Sequence, residues 1–121
     1  MPDVETPAIV LVHGAFADAA GWAPITELPL GQGFRVFAPP VYNPLSAAAF
    51  TEPAAVAAWK TKPAWGIVSS ADRTINPDVE RFGYMRAGLR RVVEIDAPHL
   101  VMRSHPAEVA AVITAAAAEL S

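Results

Sequence analysis

Four short apolar runs divide the chain: AIVLVH at 8–13, FRVFA at 34–38, AWGIVSS at 64–70 and RVVEID at 91–96. Runs of this length, rich in β-branched residues and with little polar alternation, predict strands covered on both faces, as in a parallel sheet. The segments between them carry helix signals. Trp22, Ile25 and Leu28 recur at helical spacing, and Pro29 removes a backbone donor there, so that helix is expected to be short or broken. The stretch from Pro39 to Pro44 is turn-rich, and Thr51 with Pro53 marks a helix start before AAVAAW. Asn76 as cap, Pro77 in the first turn and Gly88 as stop predict a helix over PDVERFGYMRA. From Pro106 onward, Val109, Val112, Ile113, Ala116 and Leu120 form one stripe of a last helix. Strands alternating with helices imply an α/β fold with a parallel sheet and right-handed crossovers.

At 121 residues the chain is expected to form one domain, 1–121, large enough for a single core. Hydrophobic residues make up 53% and charged residues 17%, with a formal charge of −3, which argues for a globular protein and against disorder. No basic patch points to nucleic acid. No apolar run approaches the roughly 20 residues that cross a bilayer. Asp3 and Glu5 stand where a signal peptide would begin, and there is no cysteine, so disulfides, thiolate metal sites and cysteine nucleophiles are excluded. A cytoplasmic location is the expectation.

In open parallel sheets, functional residues gather beyond the carboxyl ends of the strands. Three ionisable residues fall there: His13 after the first strand, Asp72 after the third and His99 after the fourth. Asp72 and His99 follow neighbouring strands, so a carboxylate can orient and charge an imidazole across the sheet end, the acid-base half of a catalytic triad. The alternative reading of the same residues is structural, with Asp72 capping a turn and His99 an ordinary loop histidine.

Taken together, VLVHGAFADAAGW followed by GFRVFAPP, and SSADRTINPDVERF followed by VVEIDAPHLVMRSHPAEVA, resemble the α/β-hydrolase superfamily, in particular its small esterase and hydroxynitrile-lyase-like branch. The resemblance covers most of the chain. It implies that Gly14, Ala15 and Phe16 form the loop that holds an oxyanion, that Asp72 is the triad acid and that His99 is the triad base. It also exposes a departure. Members of that superfamily carry a Gly-x-Ser-x-Gly nucleophile elbow between the second strand and the acid. This chain has none, and it resembles a shortened hydrolase lacking the elbow, the strand after it and the cap. Closing over the two absent central strands predicts a sheet of about four strands in the order 2-1-3-4.

The chain has five serines, Ser46, Ser69, Ser70, Ser104 and Ser121. Ser70 stands two residues before Asp72, hence on the same side of an extended strand, and Ser104 is near His99 in sequence; both hydroxyls also suit turns and helix ends. Three readings follow. The first is hydrolysis of small carboxylic esters, with His99 as base, Asp72 orienting it and water or Ser70 attacking, without a cofactor. The second is an inactive, shortened hydrolase that self-associates, because lost strands and cap uncover apolar surface that a homodimer would cover. The third is a metal on His13, Asp72 and His99 that activates water.

Overall fold

The computed structural model describes residues 7–14, 19–26, 34–38, 48 and 51–120. The architecture is α/β, with parallel strand pairs and helices packed on them. Strands β1 (Ile9–Val10) and β2 (Val36–Phe37) form one parallel pair, with Ile9 opposite Val36 and Val10 opposite Phe37. Strands β3 (Trp65–Ser69) and β4 (Arg91–Ile95) form another, five residues long, from Trp65 opposite Arg91 to Ser69 opposite Ile95.

The expected single sheet in the order 2-1-3-4 is therefore corrected. Neighbours 2-1 and 3-4 are present, but among the described residues no ladder joins β1 to β3. The ladder described for β1 is the one on its β2 side, where Ile9 and Leu11 donate to the carbonyls of Arg35 and Phe37 at 2.8 and 2.7 Å. Its other residues, Val10 and Val12, turn exposed side chains away from the core. The expectation of a strand covered on both faces fails there, because the face bearing Val10 and Val12 is open.

One core nevertheless spans both pairs. Ile9 and Leu11 from β1, Ile25, Ile95 from β4, and Ala97, Val101, Val109, Ala110 and Ala117 are buried together, with Trp22, Phe34, Val36, Ile67 and Val93 packed against them. Ile25 lies in the short helix α1 (Ala23–Thr26), entered through a 3-10 turn at Ala19–Trp22. The region around Pro29 and the turn-rich 39–44 lie outside the described residues.

Helix α2 (Pro77–Ala87) follows the sequence expectation at both ends. Asn76 Oδ1 accepts from the Asp78 N–H at 2.9 Å, and Gly88 adopts a left-handed φ of 65° while its N–H returns to the last turn. The helix packs on β3 closely enough that a Cβ at Gly66 would lie 2.8 Å from Leu89 Cδ1 and 2.9 Å from Tyr84 Cδ2. Two further helices, α3 (Val101–Ser104) and α4 (Pro106–Glu119), complete the chain. The face α4 buries is centred on Val109, Ala110 and Ala117, with Ile113 packed beside them, whereas Leu120 is exposed. The predicted stripe is thus rotated toward Ala110 and Ala117.

The helix expected after Thr51 and Pro53 is absent: residues 51–57 are irregular, and only a 3-10 turn forms at Ala58–Lys60. Nearly every side chain from 51 to 62 is exposed. An alanine-rich segment this short needs a packed face to stay helical, and none is provided.

Candidate functional site

The β3–β4 ladder builds the site. It continues past the strands: the Ser70 N–H donates to the Ile95 carbonyl at 2.9 Å and the Ala71 N–H to that of Ala97 at 3.1 Å. Two loops leave the sheet side by side as a result, one carrying Asp72 and the other His99. His99 Nδ1 lies 2.7 Å from Asp72 Oδ2. The other oxygen, Oδ1, accepts from the backbone N–H groups of Thr74 at 2.7 Å and Ile75 at 2.9 Å. Asp72 thus caps a turn and holds the histidine at once, so the two readings of its sequence context are compatible.

The electrostatics follow from these contacts. Burial by itself pushes the Asp72 carboxyl up, but the hydrogen bond with His99 and those from Ile75 and Thr74 outweigh it and hold the group below the usual aspartate value. An ionised carboxylate only accepts, so the proton between the two residues belongs on His99 Nδ1. Nε2 is then the basic nitrogen. The Asp72 side chain is 1% exposed and that of His99 43%, an enclosed acceptor behind an open base.

The remaining expected residues are placed differently. The Ser70 hydroxyl donates to the Ile95 carbonyl at 3.2 Å and to Asp96 Oδ1 at 3.5 Å, across the ladder. Ser104 Oγ meets the Nδ1 of neighbouring His105 at 2.8 Å. His13 turns Nδ1 to the carbonyl of Gly14 at 3.0 Å, while its Nε2 is enclosed without a hydrogen-bond partner. Gly14 is exposed at the end of the described segment, and Ala15 and Phe16 lie outside the described residues, as do Ser46 and Ser121. Among the described residues no three histidine, aspartate or glutamate side chains are grouped to hold a cation. That corrects the metal reading, since His13, Asp72 and His99 are all described and are not grouped as one ligand set.

One residue beside the pair was not singled out from the sequence. Glu80 sits on the inner side of α2 with Oε2 enclosed and unpartnered. Burial first, and the negative charge of Asp72 second, push its carboxyl above the usual glutamate value. The sequence held no signal for it: Tyr84 and Glu80 share a face of α2, the larger apolar residues Val79, Phe82 and Met85 lie on the opposite one, and hydrophobic patterning alone would bury that opposite face.

Among the described residues, no helix is long and apolar enough to cross a membrane. Comparison with known proteins gives a match between residues 38–112 and the profile described as the alpha/beta hydrolase family. The match takes in Asp72, His99 and Glu80 and leaves out the His13–Gly14 segment. No curated protein and no solved structure matches the chain.

Proposed function

The chain belongs to the alpha/beta hydrolase family, and from that premise we propose that it hydrolyses small carboxylic esters, as a shortened relative of the esterase branch, with water as the attacking group. The observation that carries the proposal is the contact of His99 Nδ1 with a buried, ionised Asp72. It leaves His99 Nε2 as a base at an exposed position. A water hydrogen-bonded to Nε2 gives up its proton as its oxygen bonds to the ester carbonyl carbon. The imidazolium formed is stabilised by Asp72, and it returns the proton to the alcohol oxygen as the C–O bond breaks. Backbone N–H groups of Gly14, Ala15 and Phe16 are the proposed donors for the oxyanion. Water is preferred to Ser70 because the hydroxyl proton of that serine is engaged with Ile95 and Asp96. General-base assistance of this kind contributes about 10²- to 10⁴-fold, and a water not fixed in place forgoes much of the proximity advantage. Turnover is accordingly expected to be slow.

The test is hydrolysis of a short-chain nitrophenyl ester by the intact chain and by His99→Ala, with intact-mass analysis after a serine-reactive phosphonate. Loss of turnover in the variant with no phosphonate adduct supports the water route. Turnover equal in both proteins removes His99 as the base, and an adduct at Ser70 transfers the attack to that hydroxyl. A second reading, an inactive chain that works by self-association, is favoured by the exposed apolar residues Val10, Val12 and Phe37 on the β1–β2 pair and Val79, Phe82 and Met85 on α2.

A further inference from the structure

Helix α2 is amphipathic in the unexpected sense. Its sheet side carries Glu80, Tyr84 and Ala87, while Val79, Phe82 and Met85, with Ile75 just before the helix, are 61, 60, 73 and 43% exposed. At about 100° per residue Val79 and Met85 each lie about 60° from the direction of Phe82, so the three helical residues form one continuous outward face. Large apolar side chains gathered on one exposed face mark a contact surface.

The charges on that face specify what it contacts. Asp78 lies four residues before Phe82 and Arg86 four residues after it, each within about 40° of its direction and about 6 Å along the axis. We propose that α2 is the interface of a homodimer in which two copies of the helix pack antiparallel about a two-fold axis at Phe82. In that arrangement Phe82 meets the partner's Phe82, with Val79 and Met85 of each copy flanking the pair. Asp78 of each copy stands at the level of the partner's Arg86, and the two charge pairs are equivalent by symmetry. A parallel arrangement would instead set Asp78 beside the partner's Asp78 and Arg86 beside the partner's Arg86, so the charges select the antiparallel one. Asp78 is open to a further cation: its side chain is 80% exposed, and its contact with Arg81 engages Oδ1.

The outward side chains would cover on the order of 400 Å² per copy, about half of a standard interface partner. The dimer is therefore concentration-dependent. It rests on the surface of α2 and not on the ester-hydrolysis reading, which stands or falls separately through His99.

Sedimentation velocity of the whole chain from micromolar to submillimolar concentration tests it. The expected result is a monomer–dimer equilibrium that Phe82→Glu shifts at least tenfold toward monomer, with Met85→Lys as the second probe should the first fail to fold. Asp78→Arg and Arg86→Asp should each weaken the dimer, and the double variant should regain most of the loss, with far-UV circular dichroism confirming the fold of each. A monomer at every concentration overturns the proposal. So does a dimer indifferent to Phe82→Glu and Met85→Lys, or a double variant no tighter than the single ones.

Discussion

His99 Nδ1 and Asp72 Oδ2 meet at 2.7 Å across 27 positions of sequence, one side chain half open to solvent and the other closed off. Their meeting depends on the β3–β4 ladder, which runs on through Ser70 and Ala71 and delivers both loops to one end of the sheet. The aspartate is fixed from behind by the Thr74 and Ile75 N–H groups, so it can hold the imidazole without moving itself.

Asp72→Asn is expected to reverse the tautomer of His99. The amide oxygen can keep the turn by accepting from Thr74 and Ile75, which leaves an NH₂ facing Nδ1 and drives the ring proton to Nε2. Nitrogen-15 shifts of the imidazole should record the change whether or not an ester is turned over. Any esterase activity should fall by about 100-fold or more, because the basic nitrogen is then on the wrong side.

The depressed ionisation of Asp72 also makes a statement about acid stability. A folded-state pKa below the unfolded one contributes stability above the usual aspartate value, which is lost as pH falls through the depressed value. Denaturant titrations from neutral pH downward should show the intact chain losing stability in that window. Asp72→Asn, already less stable at neutrality, should show a flatter acid limb.

Glu80 predicts the opposite sign. Its carboxyl is pushed up by burial and by Asp72, so its folded-state advantage is complete below the usual glutamate value and disappears as pH rises through the raised one. Glu80→Gln should therefore be the more stable protein at neutral pH, because the amide carries no charge to desolvate. The two proteins should converge in acid. Equal stability across the whole range would mean that the enclosed Oε2 is hydrated in solution.

Gly88→Ala should cost about 1 kcal/mol, since the left-handed φ of 65° that ends α2 is penalised by a Cβ. Gly66→Ala should cost about 1–3 kcal/mol through overpacking against Leu89 and Tyr84. Adding Leu89→Ala should recover part of that loss and not all of it, because the Tyr84 ring remains in place. Chemical denaturation of the three variants checks both.

Local chemistry made α2 legible in the sequence from Asn76 to Gly88, because cap, first-turn proline and left-handed stop are each decided by one residue and its neighbours. Strands β3 and β4 were legible for a related reason: their apolar runs lie within a residue of the observed ladders, and the placement of Asp72 and His99 after them led to the pair. What failed depended on what lies next to a segment. The alanine-rich stretch after Thr51 has helical propensity and nothing to pack on. The stripe on α4 turned toward the small residues Ala110 and Ala117, which fit the core better than their hydropathy suggests. The relation of β1 to β3 could not be inferred from either strand, since pairing is a property of two edges at once.

The unequal ladders of the two strand pairs bear on how the chain comes apart. Five paired residues flanked by α2 and α4 hold β3 to β4, while β1 and β2 share two among the described residues. Backbone amides of Val68 and Val93, which point into the β3–β4 ladder, should then exchange with solvent deuterium only on complete unfolding, and those of Ile9 and Leu11 through a cheaper, partial opening. The segment bearing His13 would melt away first, leaving Asp72 and His99 still joined on a surviving foldon.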